Sequence, residues 1–283
     1  MVASALSQRG LSTRRSCALC GISRSSYSYK SSPQKQQSDQ ALGQQLHAIA
    51  GYHDCYGYRP AHRELCRQGE VINHKRVQRV WRLEGLSLPL RRCGRRIRTG
   101  ASVPFAATRP NQVWSYDFIH DKCNRGHRLK FLTITDEFTR KSLAVVTATS
   151  IRAERVRQEL ERLCLRHGAP ECIRSDNGPE FVAQSVQEWL RQKGVAMLYI
   201  APGCPWQNAY AESFHSRFRA ECLDRQWFHT VREAAVVVEA WRRYYNQERL
   251  HSSLDYVPPD EFEQKWHLAK RHQTSHNTAI LPT

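Results

Sequence analysis

Near residue 111 the hydrophobic rhythm of the chain changes, and that change constrains the fold of everything after it. Aromatic and β-branched runs at 113–119, 129–136 and 142–148 read as three strands, the last two joined through Asp136-Glu137-Phe138-Thr139 as a hairpin connection. Beyond them the pattern alternates. A helix is expected from about Ala153 to His167, stopped by Gly168 and Pro170, then a short strand before Asp176. A helix near 180–193, a strand at 195–200 and a basic amphipathic helix carrying Glu212 follow. Three antiparallel strands and then α/β alternation predict an α/β fold with a mixed five-stranded sheet. Val231 to Gln247 reads as another amphipathic helix, Pro258-Pro259 introduces a last one to about Ala269, and 270–283 are expected to fray.

The segment before 111 has a different character. Residues 12–30 read as helix, turn, helix, with Gly21 as the break and Ser23 as a cap. Residues 31–40, rich in Ser and Gln, read as a linker. Helices are then expected over Gln40 to Tyr52, over Pro60 to Arg67, and after an Asn73 cap, where Val77, Val80 and Trp81 recur at helical spacing. Lys75, Arg76, Arg79 and Arg82 fall on the opposite face of that third helix, which suits a DNA groove. Residues 91–110 hold Arg91, Arg92, Arg95, Arg96, Arg98 and Arg109 and no acid, with Gly94, Gly100 and Pro104 against regular structure. That composition predicts a cationic tether that follows phosphates without reading bases.

The formal charge of +17 is unevenly placed: residues 1–110 carry 19 Lys and Arg against 5 Asp and Glu, and residues 111–283 carry 24 against 21. A basic front on a nearly neutral body points to nucleic-acid-gripping modules attached to a catalytic domain. The expected organisation is a helix-turn-helix-like segment over 1–36, a helical DNA-binding-like module over 37–90, a basic linker over 91–110, a core over 111–228 and a C-terminal helical extension and tail over 229–283. Neither a membrane span nor an apolar leader is present in the sequence, so a cytoplasmic location with reduced thiols is expected for the ten cysteines, and no membrane partner.

Three carboxylates stand out from the rest. Asp117 lies inside the strand-like Val113-Trp114-Ser115-Tyr116-Asp117-Phe118-Ile119; Asp176 ends a short strand before an Asn177-Gly178 turn; Glu212 opens a helix in Asn208-Ala209-Tyr210-Ala211-Glu212-Ser213-Phe214. Two strand ends and a helix can converge on one point, and acidic oxygens are the ligands that Mg²⁺ or Mn²⁺ prefers. The blander roles go to other acids: Asp136 and Glu137 to a turn, and Glu180 to a helix dipole.

With 58 residues between Asp117 and Asp176, 35 between Asp176 and Glu212, and these flanks, the chain resembles the DDE enzymes: retroviral integrases and bacterial insertion-sequence transposases. The resemblance is to the orfB product of the IS-three family. It extends to Tyr56-Gly57-Tyr58-Arg59-Pro60 and to Tyr245-Asn246-Gln247-Glu248-Arg249-Leu250-His251-Ser252-Ser253-Leu254. It implies an RNase H-like core behind small all-helical helix-turn-helix-like modules, and a transposase that cleaves DNA strands and transfers them. Asp117, Asp176 and Glu212 would then be catalytic ligands of two Mg²⁺ (or Mn²⁺) ions. Arg219, seven residues after Glu212, would hold a phosphate, and His215 at +3 would do so more weakly. The implied partners are DNA (element ends and target), an upstream-frame orfA product supplied as a frameshift fusion, and further copies of the chain on DNA. The competing readings are an RNase H-like nuclease that only hydrolyses and a non-catalytic DNA-binding regulator. The basic modules favour transposition over the first, and the complete acidic triad argues against the second.

Overall fold

The structure is a computed structural model that describes residues 10–29, 32–89, 105–124, 126–176, 178, 183–200 and 205–278. Residues 1–89 and 90–283 form two compact units. Arg91, Arg92, Arg95 and Arg96 of the expected tether lie outside the described residues.

The first unit is helical. α1 (Thr13–Leu19) and α2 (Arg24–Ser28) are capped by Ser12 and Ser23, whose hydroxyls accept backbone N–H groups. α3 (Pro33–Tyr52) begins earlier than expected: Ser32 caps it and Pro33 occupies its first turn, so most of the supposed linker is helix and the boundary drawn at 36 falls inside it. α4 (Tyr58–Arg67) and α5 (His74–Leu83) complete the unit, the latter capped by Asn73 as expected. Leu42, Leu46, Ile49, Ala61, Leu65, Val77, Val80 and Trp81 are its buried apolar residues. At Gly43 a Cβ would stand 2.8 Å from the Glu84 carboxylate, so a larger residue would push that side chain aside.

The second unit is built on five strands: β1 (Val113–Lys122), β2 (Arg128–Asp136), β3 (Ser142–Ala148), β4 (Cys172–Ser175) and β5 (Ala196–Tyr199). Their order across the sheet is β3-β2-β1-β4-β5, the first three antiparallel and β4 and β5 parallel to β1. This is the RNase H-like arrangement. α6 (Ala153–His167) and α7 (Gln184–Gln192) supply the crossovers among the parallel strands. α8 (Ala209–Glu221), α9 (Val231–Gln247) and α10 (Pro259–Thr278) follow, the last running well past Ala269, where fraying was expected.

Strand alternation divides the core in two. Trp114 and Tyr116 of β1 join Leu132, Ile134, Leu160, Leu163 and Trp189 in one cluster. Ile119 of β1 joins Phe131, Phe214, Phe218, Phe228, Val238, Trp241 and Tyr245 in the other. α9 is therefore part of the core and not an extension of it, and a boundary at 228 would cut through the second cluster.

Candidate active site

Asp117 sits in the middle of β1, opposite Thr133 of β2, and belongs to the strand face that α8 covers. β4 runs parallel to β1 with Ser115 beside Arg174, and Asp176 follows directly where β4 ends. The Asp176 carboxylate accepts the Gly178 N–H at 3.1 Å, while Asn177 of the expected turn lies outside the described residues. Glu212 is exposed in the first turn of α8.

The side chain of Asp117 is 19% exposed. Burial pushes its carboxyl up to about 6, and the negative charges of Asp176 and Glu212 add to the rise. Hydrogen bonds from the Phe118 N–H to Oδ1 (2.7 Å) and from Asn208 Nδ2 to Oδ2 (3.0 Å) oppose it. Asp117 thus lies within the electrostatic reach of both other acids. Among the described residues, no three His, Cys, Asp or Glu side chains stand close enough to hold a metal ion as they are placed.

The donor set nonetheless fits a hard divalent cation. All three candidate groups are carboxylates, the preferred ligands of Mg²⁺ and Mn²⁺. Each oxygen of Asp117 accepts one hydrogen bond and retains capacity for a second partner. A cation would also reverse the charge repulsion that raises this carboxyl.

Asn208, which the sequence did not single out, ends the 3-10 turn Pro205–Asn208 and precedes α8. It is 6% exposed, and its Oδ1 has no hydrogen-bond partner. Its one bond ties the start of the helix carrying Glu212 to the strand carrying Asp117.

His215 corrects the expectation of a phosphate contact. It is 16% exposed, with Nε2 2.8 Å from Thr133 Oγ1 and Nδ1 3.8 Å from Asp117 Oδ2. The Thr133 hydroxyl also donates to the Asp117 carbonyl at 3.0 Å, so it links the ring to the backbone of β1. Burial, with the nearby Arg219 charge, lowers His215 to about 4, so the ring is neutral and supports the site from beneath. Arg219 is exposed and donates from NH2 to the His120 carbonyl of β1 at 2.9 Å.

In the first unit, Arg76 and Arg79 are not a free face. Both bind Asp39 of α3, at 3.0 and 2.7 Å, and Arg76 also donates to Ser38. The two guanidiniums hold the Asp39 carboxyl below its usual range against a desolvation that would raise it. Lys75 and Arg82 are exposed, as expected.

Two further features escaped the sequence reading. Glu137, expected to shape a turn, is fully buried against Arg174 at 2.8 Å beneath the strand that leads to Asp176. Asp136 does shape the turn, accepting backbone N–H groups from Asn111, Phe138 and Thr139. The motif from Tyr245 to Leu254 proves to be a latch. Asn246 pairs with both backbone groups of Ser142 at 2.8 Å, and Arg249 grips Glu221, the last residue of α8, through two bonds of 2.6 Å.

Sheet order, covering helices, and acids in mid-strand, at one strand end and at a helix start, where two strand ends were expected, form an arrangement of the integrase-core type. Models of the integrase core domain match residues 107–205 and 193–259, and a model of an HTH-like domain matches 37–93. A 31.7 kDa protein of insertion element IS407 from Burkholderia multivorans is 38% identical over 258 residues, covering 90% of this chain and 91% of that protein. The transposase of insertion sequence element IS904 from Lactococcus lactis is 30% identical over 246 residues, covering 82% and 97%. The catalytic core domain of BIV integrase aligns with a TM-score of 0.45 at 17% identity, over 57% of this chain and 99% of that one. The chain belongs to the insertion-sequence DDE transposases of the IS-three family. Integrase-core proteins generally use a divalent metal and act on DNA. Among the described residues no helix is long and apolar enough to cross a membrane.

Proposed function

We propose that this transposase cleaves DNA at the ends of its element and joins the resulting 3′-hydroxyl to a target strand, with Asp117, Asp176 and Glu212 holding two Mg²⁺ or Mn²⁺ ions. The observation that carries this reading is where the fold puts the acids: Asp117 in the middle of β1, Asp176 directly after the adjacent parallel strand β4, and Glu212 in the first turn of α8, which packs on the Asp117 face of β1. Bound cations would supply charge stabilisation at the phosphate and its leaving oxygen and would activate the attacking hydroxyl. The protein's own groups do the rest. The Phe118 N–H and Asn208 fix the rotation of the Asp117 carboxylate, and neutral His215 holds Thr133 against the same strand. Arg219 uses one of five guanidinium donors on His120, so it can also bind a phosphate beside the site.

Lys75 and the arginines at 91, 92, 95 and 96 supply salt-sensitive DNA affinity. Arg76 and Arg79 add to the positive field around α5 while their hydrogen bonds go to Asp39. The chain acts as several copies on DNA and receives its end-recognition module from an upstream-frame product. The test is an assay on labelled element ends in Mg²⁺ and in Mn²⁺, with and without that product. Metal-dependent nicking followed by joined products is expected; nicking with no joining under any condition would favour the hydrolytic nuclease.

A further inference from the structure

The most exposed tryptophan described in the second unit is Trp227, at 80%, and its surroundings differ from those of a stray surface aromatic. Its neighbours Leu223 and Phe228 are each 2% exposed and belong to the cluster beneath α8 and α9. The segment between them is fixed at both ends. Arg225 donates from Nε to the Ala220 carbonyl at 2.9 Å, the Gln226 N–H reaches Leu223, and the Phe228 carbonyl accepts the Asn124 N–H of the β1–β2 hairpin at 2.8 Å. Thr230 and Glu233 then close a capping box on α9. The indole is therefore held outward by its backbone, leaving a large apolar surface in water that folding alone does not require.

Its rim is cationic. Lys122 faces Arg128 across the hairpin whose turn meets this segment, His127 is exposed beside them, and Arg225 and Arg232 flank the tryptophan in sequence. Of the acids on these segments, Asp121 accepts its neighbour's N–H, Glu233 is engaged in the capping box, and Asp224 is exposed beside Arg225, so the four cations outnumber the acids by one. No other large apolar side chain of the hairpin or of this segment is exposed, so the surface lacks the contiguous apolar patch that a protein partner would bury. One rigid aromatic on a segment that meets a hairpin carrying Lys122 and Arg128, with Arg225 and Arg232 close in sequence, suits a strand of nucleic acid: phosphates meet the cations and a base stacks on the indole.

Position supports the same ligand. From Asp117 to Cys123, six residues of extended chain cover about 20 Å at roughly 3.3 Å each. The Arg219–His120 contact lies between them. Resting on the transposase reading, we infer that Trp227 is a stacking site for an unpaired base of the DNA that the catalytic acids act on.

The test uses the full chain and two labelled DNA probes of equal length: a fully paired duplex, and the same duplex with its terminal nucleotides unpaired. A 2-aminopurine placed singly at each of the unpaired positions reports stacking. Trp227→Ala is expected to weaken binding of the frayed probe roughly 5- to 100-fold and that of the paired probe less than about 3-fold. Trp227→Phe should retain most of the affinity, 2-aminopurine quenching should be lost only in Trp227→Ala, and thermal melting should not change. Equal affinities of wild type and Trp227→Ala for the frayed probe would overturn the proposal. So would a variant that binds DNA normally but loses self-association in light scattering, because the surface would then belong to a second copy. Wild-type protein that neither binds nor cleaves either probe would instead count against the transposase reading.

Discussion

The hydrogen bond from Asn208 to Asp117 acts at the scale of one residue on the geometry of the whole site. It spans 91 positions of sequence, and the Oδ1 at its other end is buried without a partner. Removing such an outer partner of a ligand typically lowers metal affinity or activity about 10- to 100-fold. Asn208→Ala is therefore expected to reduce cleavage by that factor and to raise the Mg²⁺ concentration needed for half-maximal rate, whereas a purely structural role would leave the metal requirement unchanged. Arg219→Ala should weaken cleavage or joining with little change in melting temperature; normal kinetics in that variant would remove the phosphate contact. The acids themselves were legible in the sequence, because a strand, a turn and a helix start each announce themselves locally. Asn208 was not, since its polar side chain before a helix reads equally well as a cap. His215 was misread for a related reason. It does share a face with Glu212, but that face turns into the sheet one turn later, and nothing local reveals it.

At the scale of elements, α8 carries Glu212 at one end and Glu221 at the other, and the two ends are held differently. The Asn208 bond secures the first. The second is gripped by Arg249, in a pair whose side chains are 12% and 6% exposed. Breaking a buried pair by removing one partner leaves an uncompensated charge, at roughly 3–5 kcal/mol. Arg249→Ala should accordingly lower stability by that order in denaturant unfolding, against nearly nothing for the exposed Arg191–Glu188 pair.

His251 packs edge-on against Tyr245 at 4.5 Å within the same latch, and burial, with Arg249 adding to it, lowers its pKa to about 3. The unfolded chain, with a value near 6.5, binds the proton first. Stability from this group is thus complete above pH 6.5 and is lost as pH falls towards 3. Comparing wild type with His251→Gln should show the wild type losing on the order of 2–3 kcal/mol more between pH 7 and pH 4. A parallel pH dependence in the two proteins would contradict this. The helix boundaries 153–167 and 231–247 could be read directly from amphipathic spacing. The start of α3 could not, because a Ser- and Gln-rich stretch suits a polar helix as well as a linker. Nor could the pairing of Arg76 and Arg79 with Asp39, which depends on how two helices pack.

At the scale of the molecule, the charge asymmetry separates affinity from chemistry. The four arginines at 91, 92, 95 and 96 lie in a segment with no acid. Each phosphate neutralised contributes about 0.9 to the slope of log K against log salt on duplex DNA. Replacing all four with Gln should flatten that slope by up to about 3.6, leaving the rate of cleavage of bound DNA unchanged; an unaltered slope would place the grip elsewhere. The mixed five-stranded sheet followed from the alternation of periods, while the membership of α9 in the core depended on Phe214, Phe218, Trp241 and Tyr245 meeting from distant parts of the chain.

The most direct measurement is single-turnover cleavage of labelled element ends by Asp117→Asn, Asp176→Asn and Glu212→Gln, alongside DNA-binding affinity. Each substitution keeps the shape of a side chain and removes one negative charge. If the three carboxylates hold the catalytic metal, each variant should lose cleavage by roughly 10²–10³-fold or more while binding DNA within about 3-fold of wild type. Cleavage at the wild-type rate by any one of the three would contradict the account.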